Sequence, residues 1–130
     1  RFKIGVTNGC FDILHSGHLH LLGEAKKNCD KLIVLVNSDS SIKKIKGKNR
    51  PILKLKKRIE LLKMLKNVDD VQYFNENTPE KSLSKILPDI LFKGSDYKIA
   101  DVVGNKLVTN NGGKIKIIDK LKNFSSTKLI

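Results

Sequence analysis

Two histidines, His15 and His18, stand three residues apart with Gly17 between them, inside the string TNGCFDILHSGH that runs from Thr7 to His18. The string follows an apolar stretch and opens an amphipathic one. Both imidazoles are therefore predicted at the start of a helix, where free backbone N–H groups and the positive end of the dipole suit a phosphate. Asn8 and Gly9 permit a tight turn, and Gly17 lets backbone approach a ligand closely. Two imidazoles so placed can donate hydrogen bonds to an anion that gains charge in a transition state. Two plainer readings compete. A metal pair would need a third His, Cys or Glu at ligand spacing, which is absent here; alternatively, the histidines only hold structure. His20, one helical step further on, reads as a surface or packing residue.

Three more segments place polar side chains at the ends of apolar runs. In Asn37-Ser38-Asp39-Ser40-Ser41, Asp39 can cap the next short helix. Lys43, Lys44, Lys46, Lys48 and Arg50 around Gly47 form either a solvated basic run or a mobile flap closing over phosphate, with Lys44 and Lys46 the favoured pair. Arg58, on the helix after it, is either a bidentate phosphate contact or a surface residue. The segment Lys93-Gly94-Ser95-Asp96-Tyr97 brings Lys93 and Asp96 forward as substrate-binding candidates. Asp96 would meet a ribose or sugar hydroxyl, or merely start a turn. Near the end, Ser125, Ser126 and Thr127 make either a plain helix cap or a second phosphate cradle.

The elements that must position these residues alternate in kind. Residues 3–7, 31–37, 71–74, 90–92 and 114–118 read as strands, and 31–37 (KLIVLVN) is a continuous apolar run suited to a parallel sheet covered on both faces. Helical periodicity falls on residues 17–28, 55–66, 79–87 and, more weakly, 102–109, and a helix begins at 125–130. Thr78-Pro79 starts a helix and Pro88 ends it. The order predicts an α/β fold: a Rossmann-like, doubly wound, mostly parallel five-stranded sheet forming a single domain over residues 1–130. Ligands then sit beyond the carboxyl ends of the strands, after Thr7, Asn37, Phe92 and Ile118.

The formal charge of +13, with only 3 of 26 cations being Arg, sets a nucleic-acid binder against an enzyme for anionic substrates. The lysines are spread along the chain and aromatic residues are few, so the basic nucleic-acid-binding module is the lesser reading. No segment is long and apolar enough to span a membrane. Cys10 and Cys29 lie outside any metal-binding spacing and point to a reducing, cytoplasmic setting. The missing initiator Met suggests a fragment of a longer chain.

The string TNGCFDILHSGH resembles the HxGH signature of the cytidylyltransferase-like nucleotidyltransferases. Together with LIVLVNSDSSIKKIKGKNRPI, RIELLKMLKNVDDV, ENTPEKSLSKILPDILFKGSDY and SSTKLI, it is similar over nearly the whole chain to the adenylyltransferase domains of bacterial ADP-heptose synthases. The resemblance implies AMP transfer from ATP, with Mg²⁺, to D-glycero-β-D-manno-heptose 1-phosphate, for lipopolysaccharide. A sugar kinase domain fused ahead and a homodimer are further expectations. His15, His18, Lys44 and Lys46 would be catalytic, and Thr7, Asn8, Gly9, Phe11, Gly17, Ser126 and Thr127 would bind nucleotide. Asp12, Asp39, Arg58, Lys93 and Asp96 would meet the second substrate. Related glycerol-phosphate cytidylyltransferases resemble RTxGIST where this chain has LKNFSST, which disfavours CTP with glycerol 3-phosphate or phosphoethanolamine; adenylyl transfer to a flavin mononucleotide is a further alternative. The heptose pattern runs STTN where this chain has SSTK, so Lys128 replaces Asn.

Overall fold

The computed structural model describes residues 1–120. Five strands, β1 (Ile4–Gly9), β2 (Lys31–Asn37), β3 (Asp70–Phe74), β4 (Ile90–Gly94) and β5 (Lys114–Ile118), form one sheet in the order β3-β2-β1-β4-β5. Every pairing is parallel, so the expected mostly parallel sheet is wholly parallel among the described residues. From β1 the chain winds outward through β2 to β3, then returns to lay β4 on the other side of β1. The strand order reverses between β1 and β4, the point at which such sheets leave a crevice.

Alternation along β2 explains the two layers. Leu32, Val34 and Val36 pack on one face with Leu22 and Ala25 of α1 (Ser16–Lys27) and Leu62 of α3 (Leu55–Lys63). Ile33 and Leu35 point the other way, against Leu83 of α4 (Glu80–Ile86) and Val108 of α5 (Asn105–Asn110). Both faces of the central strands are thus dry, and the uninterrupted apolar run of β2 follows from that. The helix at α4 begins one residue later than expected, with Pro79 preceding it, and ends at Leu87 in the left-handed region before Pro88. The weak helix expected over 102–109 is a 3-10 turn at Ile99–Asp101 followed by α5.

The largest departure concerns the basic segment. Residues 39–46 are helix α2 (Asp39–Lys46), so Lys43, Lys44 and Lys46 ride on a helix and not on a mobile flap. Ser38, not Asp39, caps it: its side chain accepts from the Ser41 backbone N–H at 3.2 Å. Ile42 is fully buried beneath it, and lysines in the last turn suit the negative end of the dipole. Gly47 closes the helix at φ 103°, a conformation that glycine adopts without strain.

Candidate active site

The start of α1 is built by the two histidines themselves. His15 occupies the capping position in extended conformation, and its ring Nδ1 accepts the Gly17 backbone N–H at 3.1 Å. Three residues on, His18 Nδ1 accepts the His15 backbone N–H at 3.3 Å. This is a reciprocal capping box made with imidazoles where Ser and Glu are usual. A side chain on Gly17 would put its Cβ 2.9 Å from His15 Cε1, so only glycine lets that ring fold down onto the helix end. A nitrogen that accepts holds a lone pair; each neutral ring therefore carries its proton on Nε2, and among the described residues that N–H has no partner.

The rings lie with centroids 3.9 Å apart, and Phe11 packs 5.1 Å from His18. Phe11 adopts φ 47°, a left-handed backbone that turns the chain sharply after β1 and buries the ring in the core. Burial lowers the His18 pKa to about 4, with the charges of His15 and Lys46 acting in the same direction. His18 is thus a neutral hydrogen-bond donor at pH 7.

Two cavities open at the carboxyl edge of the sheet. The larger, about 570 Å³, lies between the β1 tip, the α1 start, the segment after β4 and the end of β5. Thr7, Asn8, Gly9 and Phe11 form its floor, His15, Gly17 and His18 one wall, and Lys93 and Asp96 another. The smaller, about 300 Å³, shares Asn8, Gly9, Cys10, Lys93 and Tyr97 with it and extends toward Asn37, Lys46 and Thr78. Lys93 stands between them, donating to the Asn8 carbonyl at 3.1 Å with its ammonium 4.6 Å from the Tyr97 ring centre. Burial depresses its pKa, opposed by Cys10. Among the described residues no carboxylate pairs with it, so an incoming anion would meet an ammonium whose charge is not already neutralised. Cys10, in contrast, has its thiol pKa raised by burial, against the lowering charges of Lys46, Arg58 and Lys93.

Behind these walls lies a hydrogen-bonded latch. Asp12 accepts the backbone N–H groups of Ile52 at 2.8 Å and Leu53 at 2.8 Å, and Arg50 lies 3.6 Å away. Burial works to raise this carboxyl, but the two amides and Arg50 outweigh it and hold its pKa below the usual value. Arg58, 1% exposed, donates to the carbonyls of Leu53, Cys10 and Asn37 at 3.0, 3.0 and 2.7 Å and to Asp39 at 2.7 Å. It ties the tips of β1 and β2 to the start of α3.

A family model described as cytidylyltransferase-like matches residues 6–130. The chain belongs to the cytidylyltransferase-like nucleotidyltransferases. It is 49% identical to the bifunctional protein HldE of Nitrobacter winogradskyi over 128 residues, 98% of this chain and 26% of that one. HldE of Hydrogenovibrio crunogenus is 46% identical, again over 98% of this chain and 27% of its own length. The chain thus spans about a quarter of the curated relatives it matches. Among solved structures, the lipopolysaccharide core biosynthesis protein of Thermoplasma volcanium superposes with a TM-score of 0.73 at 33% identity, covering 94% of this chain and 98% of that one. The pantoate-beta-alanine ligase of Francisella tularensis shares the fold, with a TM-score of 0.67 at 18% identity, over 98% of this chain and 67% of its own.

In this nucleotidyltransferase the expected residues fall into three groups. Thr7, Asn8, Gly9, Phe11, His15, Gly17, His18, Lys93 and Asp96 line the larger cavity, and Lys46 lines the smaller. Asp12, Asp39 and Arg58 line neither: Arg58 is neither a surface residue nor a free phosphate contact, because its donors are engaged within the protein, and Asp39 holds Arg58 and the Leu55 backbone N–H. Lys44 also lines neither cavity; two positions before Lys46 on a helix, it projects to a different side. Ser126 and Thr127 lie outside the described residues.

His20, expected to be a surface or packing residue, makes a tertiary contact through its Nε2 with the Asp119 carbonyl at 2.9 Å, and it also lines the larger cavity. Asp96 pairs with Lys120 at 2.6 Å; both are largely exposed, and both line the larger cavity. Asn77 and Thr78 were not among the candidates; the rule placing ligands at strand carboxyl ends, applied to β3 as well, points to them.

Proposed function

We propose that this chain transfers the AMP moiety of ATP to D-glycero-β-D-manno-heptose 1-phosphate, releasing pyrophosphate and yielding an ADP-heptose for lipopolysaccharide. The supporting observation is the pair of imidazole Nε2–H donors at the start of α1, on the wall of a cavity that adjoins a second one across Lys93. A triphosphate in the larger cavity would set its α-phosphate against those donors, and the acceptor would lie in the smaller.

The reaction needs no covalent intermediate. An oxygen of the acceptor phosphate attacks the α-phosphorus in line, and the bond to the bridging oxygen of the pyrophosphate breaks with its electron pair. The acceptor phosphate is already ionised near pH 7, so no base is required. The chain contributes position and charge stabilisation: His15 and His18 donate to the developing oxyanion, and Lys93 and Lys46 attract the phosphates. Among the described residues no three His, Cys, Asp or Glu side chains converge as a metal cage. Mg²⁺ is accordingly assigned to the substrate, arriving bound to the triphosphate. The length of the HldE relatives leaves room for a second domain, which we propose to be a sugar kinase.

Pyrophosphate release from ATP and CTP is the test, with heptose 1-phosphate, glycerol 3-phosphate, phosphoethanolamine and flavin mononucleotide as acceptors. Release with ATP and heptose 1-phosphate, and an ADP-heptose mass in the product, is expected. Faster turnover of CTP or of another acceptor would replace this reading.

A further inference from the structure

The smaller cavity has a wall that the transfer chemistry does not use. Three of the large apolar side chains left exposed on this protein, Ile45 at 51%, Tyr97 at 47% and Val103 at 43%, line it together. Beyond them lie Asn37, Asn77 and Thr78. Asn37 is 5% exposed and held in place: its Nδ2 donates to Ser41 Oγ at 3.0 Å, and Ser41 Oγ donates to the Glu76 carbonyl at 2.8 Å. Among the described residues its Oδ1 receives only a long thiol contact from Cys10 at 3.7 Å, leaving acceptor capacity for a stronger donor. The same chain of bonds fixes the loop that carries Asn77 and Thr78.

The layout is a ruler. The loop bearing Asn77 and Thr78 follows β3, two strands from β1, so it stands roughly 10 Å across the sheet from the β1 tip at a spacing of about 4.8 Å per strand. An anion held at Lys93, whose ammonium sits on the Asn8 carbonyl at the β1 tip, therefore starts a ligand whose far end meets polar groups and whose middle meets Ile45, Tyr97 and Val103. A three-carbon phosphate is too short to touch both ends. We infer that Asn77 and Thr78 determine acceptor specificity by reading hydroxyls on the exocyclic carbon chain of a sugar phosphate seated in this cavity, its phosphate toward Lys93. The inference rests on the transfer reaction proposed above and adds the residues that select its acceptor.

The test compares the wild type with the Asn77→Ala/Thr78→Val double variant, both positions being on a loop outside the phosphate contacts. Initial rates are measured with heptose 1-phosphate and with mannose 1-phosphate, which lacks the terminal carbon, and heptose 1-phosphate is titrated calorimetrically in the presence of a non-hydrolysable ATP analogue. The variant should raise the KM and the calorimetric Kd for heptose 1-phosphate by about tenfold or more, as expected for lost hydrogen bonds to a substrate hydroxyl. Its preference for the heptose over the hexose phosphate should collapse, while the KM for ATP and the melting temperature stay at wild-type values. An unchanged ratio of kcat/KM for the two sugars, with normal wild-type turnover, overturns the specificity assignment alone. Absence of any turnover of sugar phosphates by the wild type overturns the reaction and this inference with it.

Discussion

At His15 and His18 one side chain serves two ends: Nδ1 starts the helix and Nε2–H faces the cavity. The two tasks can be separated. His15→Asn retains an oxygen able to cap the helix but lacks the outward donor, so it should melt near the wild-type temperature and lose on the order of 10²–10³ in kcat. His15→Ala should lose the same rate and about 1 kcal/mol of stability as well. A thermal melt run beside the kinetics distinguishes them, and a fully active His15→Asn would remove the donor role. His18 adds a pH signature. In the folded chain its pKa is lowered from 6.5 to about 4 by burial, His15 and Lys46. Between those values the unfolded ring takes a proton that the folded ring refuses, so this contribution to stability is whole above about pH 6.5 and declines as pH falls toward 4. Discounted for the half-open ring, the loss is on the order of 1 kcal/mol. Denaturant midpoints at pH 7 and pH 4.5 should differ less in His18→Gln than in the wild type. The residue types and their spacing were readable in the sequence; which nitrogen does which job was not, because that depends on the direction of two backbone N–H groups.

At the scale of elements, the segment between α2 and α3 is latched to the sheet by Asp12, Asp39 and Arg58. Sequence patterns mark these as charged residues near a phosphate site, but they do not reveal that a guanidinium lies beneath the loops and that its acceptors are carbonyls at two strand ends. Contacts separated by 48 and 21 residues leave no periodic trace. Lys44 shows the same limit: helical spacing separates it from Lys46 only once the segment is known to be helix. Arg58→Lys should destabilise by about 3–5 kcal/mol, since a single ammonium cannot serve the three carbonyls and one carboxylate now bonded. Urea unfolding checks this; a loss under 1 kcal/mol would mean the latch is dispensable. Asp12, held below its usual pKa, stabilises the fold above the ordinary carboxylate range and ceases to as pH falls through its lowered value. Asp12→Ala should therefore flatten the acid limb of the stability profile.

For the whole molecule, the alternation of apolar runs and helical periods was enough to read the α/β order, the five strands and the carboxyl edge at which the two cavities open. What it could not show is that the loop after β3 reaches the crevice that the return of β4 beside β1 creates. The formal charge of +13 also acts at this scale. A positive surface concentrates polyanionic substrates, and salt screens that attraction over about 10 Å at 0.1 M. The kcat/KM for ATP should consequently fall several-fold between about 50 and 500 mM KCl while kcat changes little. Equal sensitivity in both parameters would instead indicate disruption of the site.

The reciprocal imidazole cap allows the poised state to be watched without any substrate. The backbone N–H of His15 has its partner only while the His18 ring lends it a lone pair. Deuterium uptake at that single amide, corrected for intrinsic exchange, becomes a gauge of the ring's proton: slow through neutrality and released as the solution approaches pH 4.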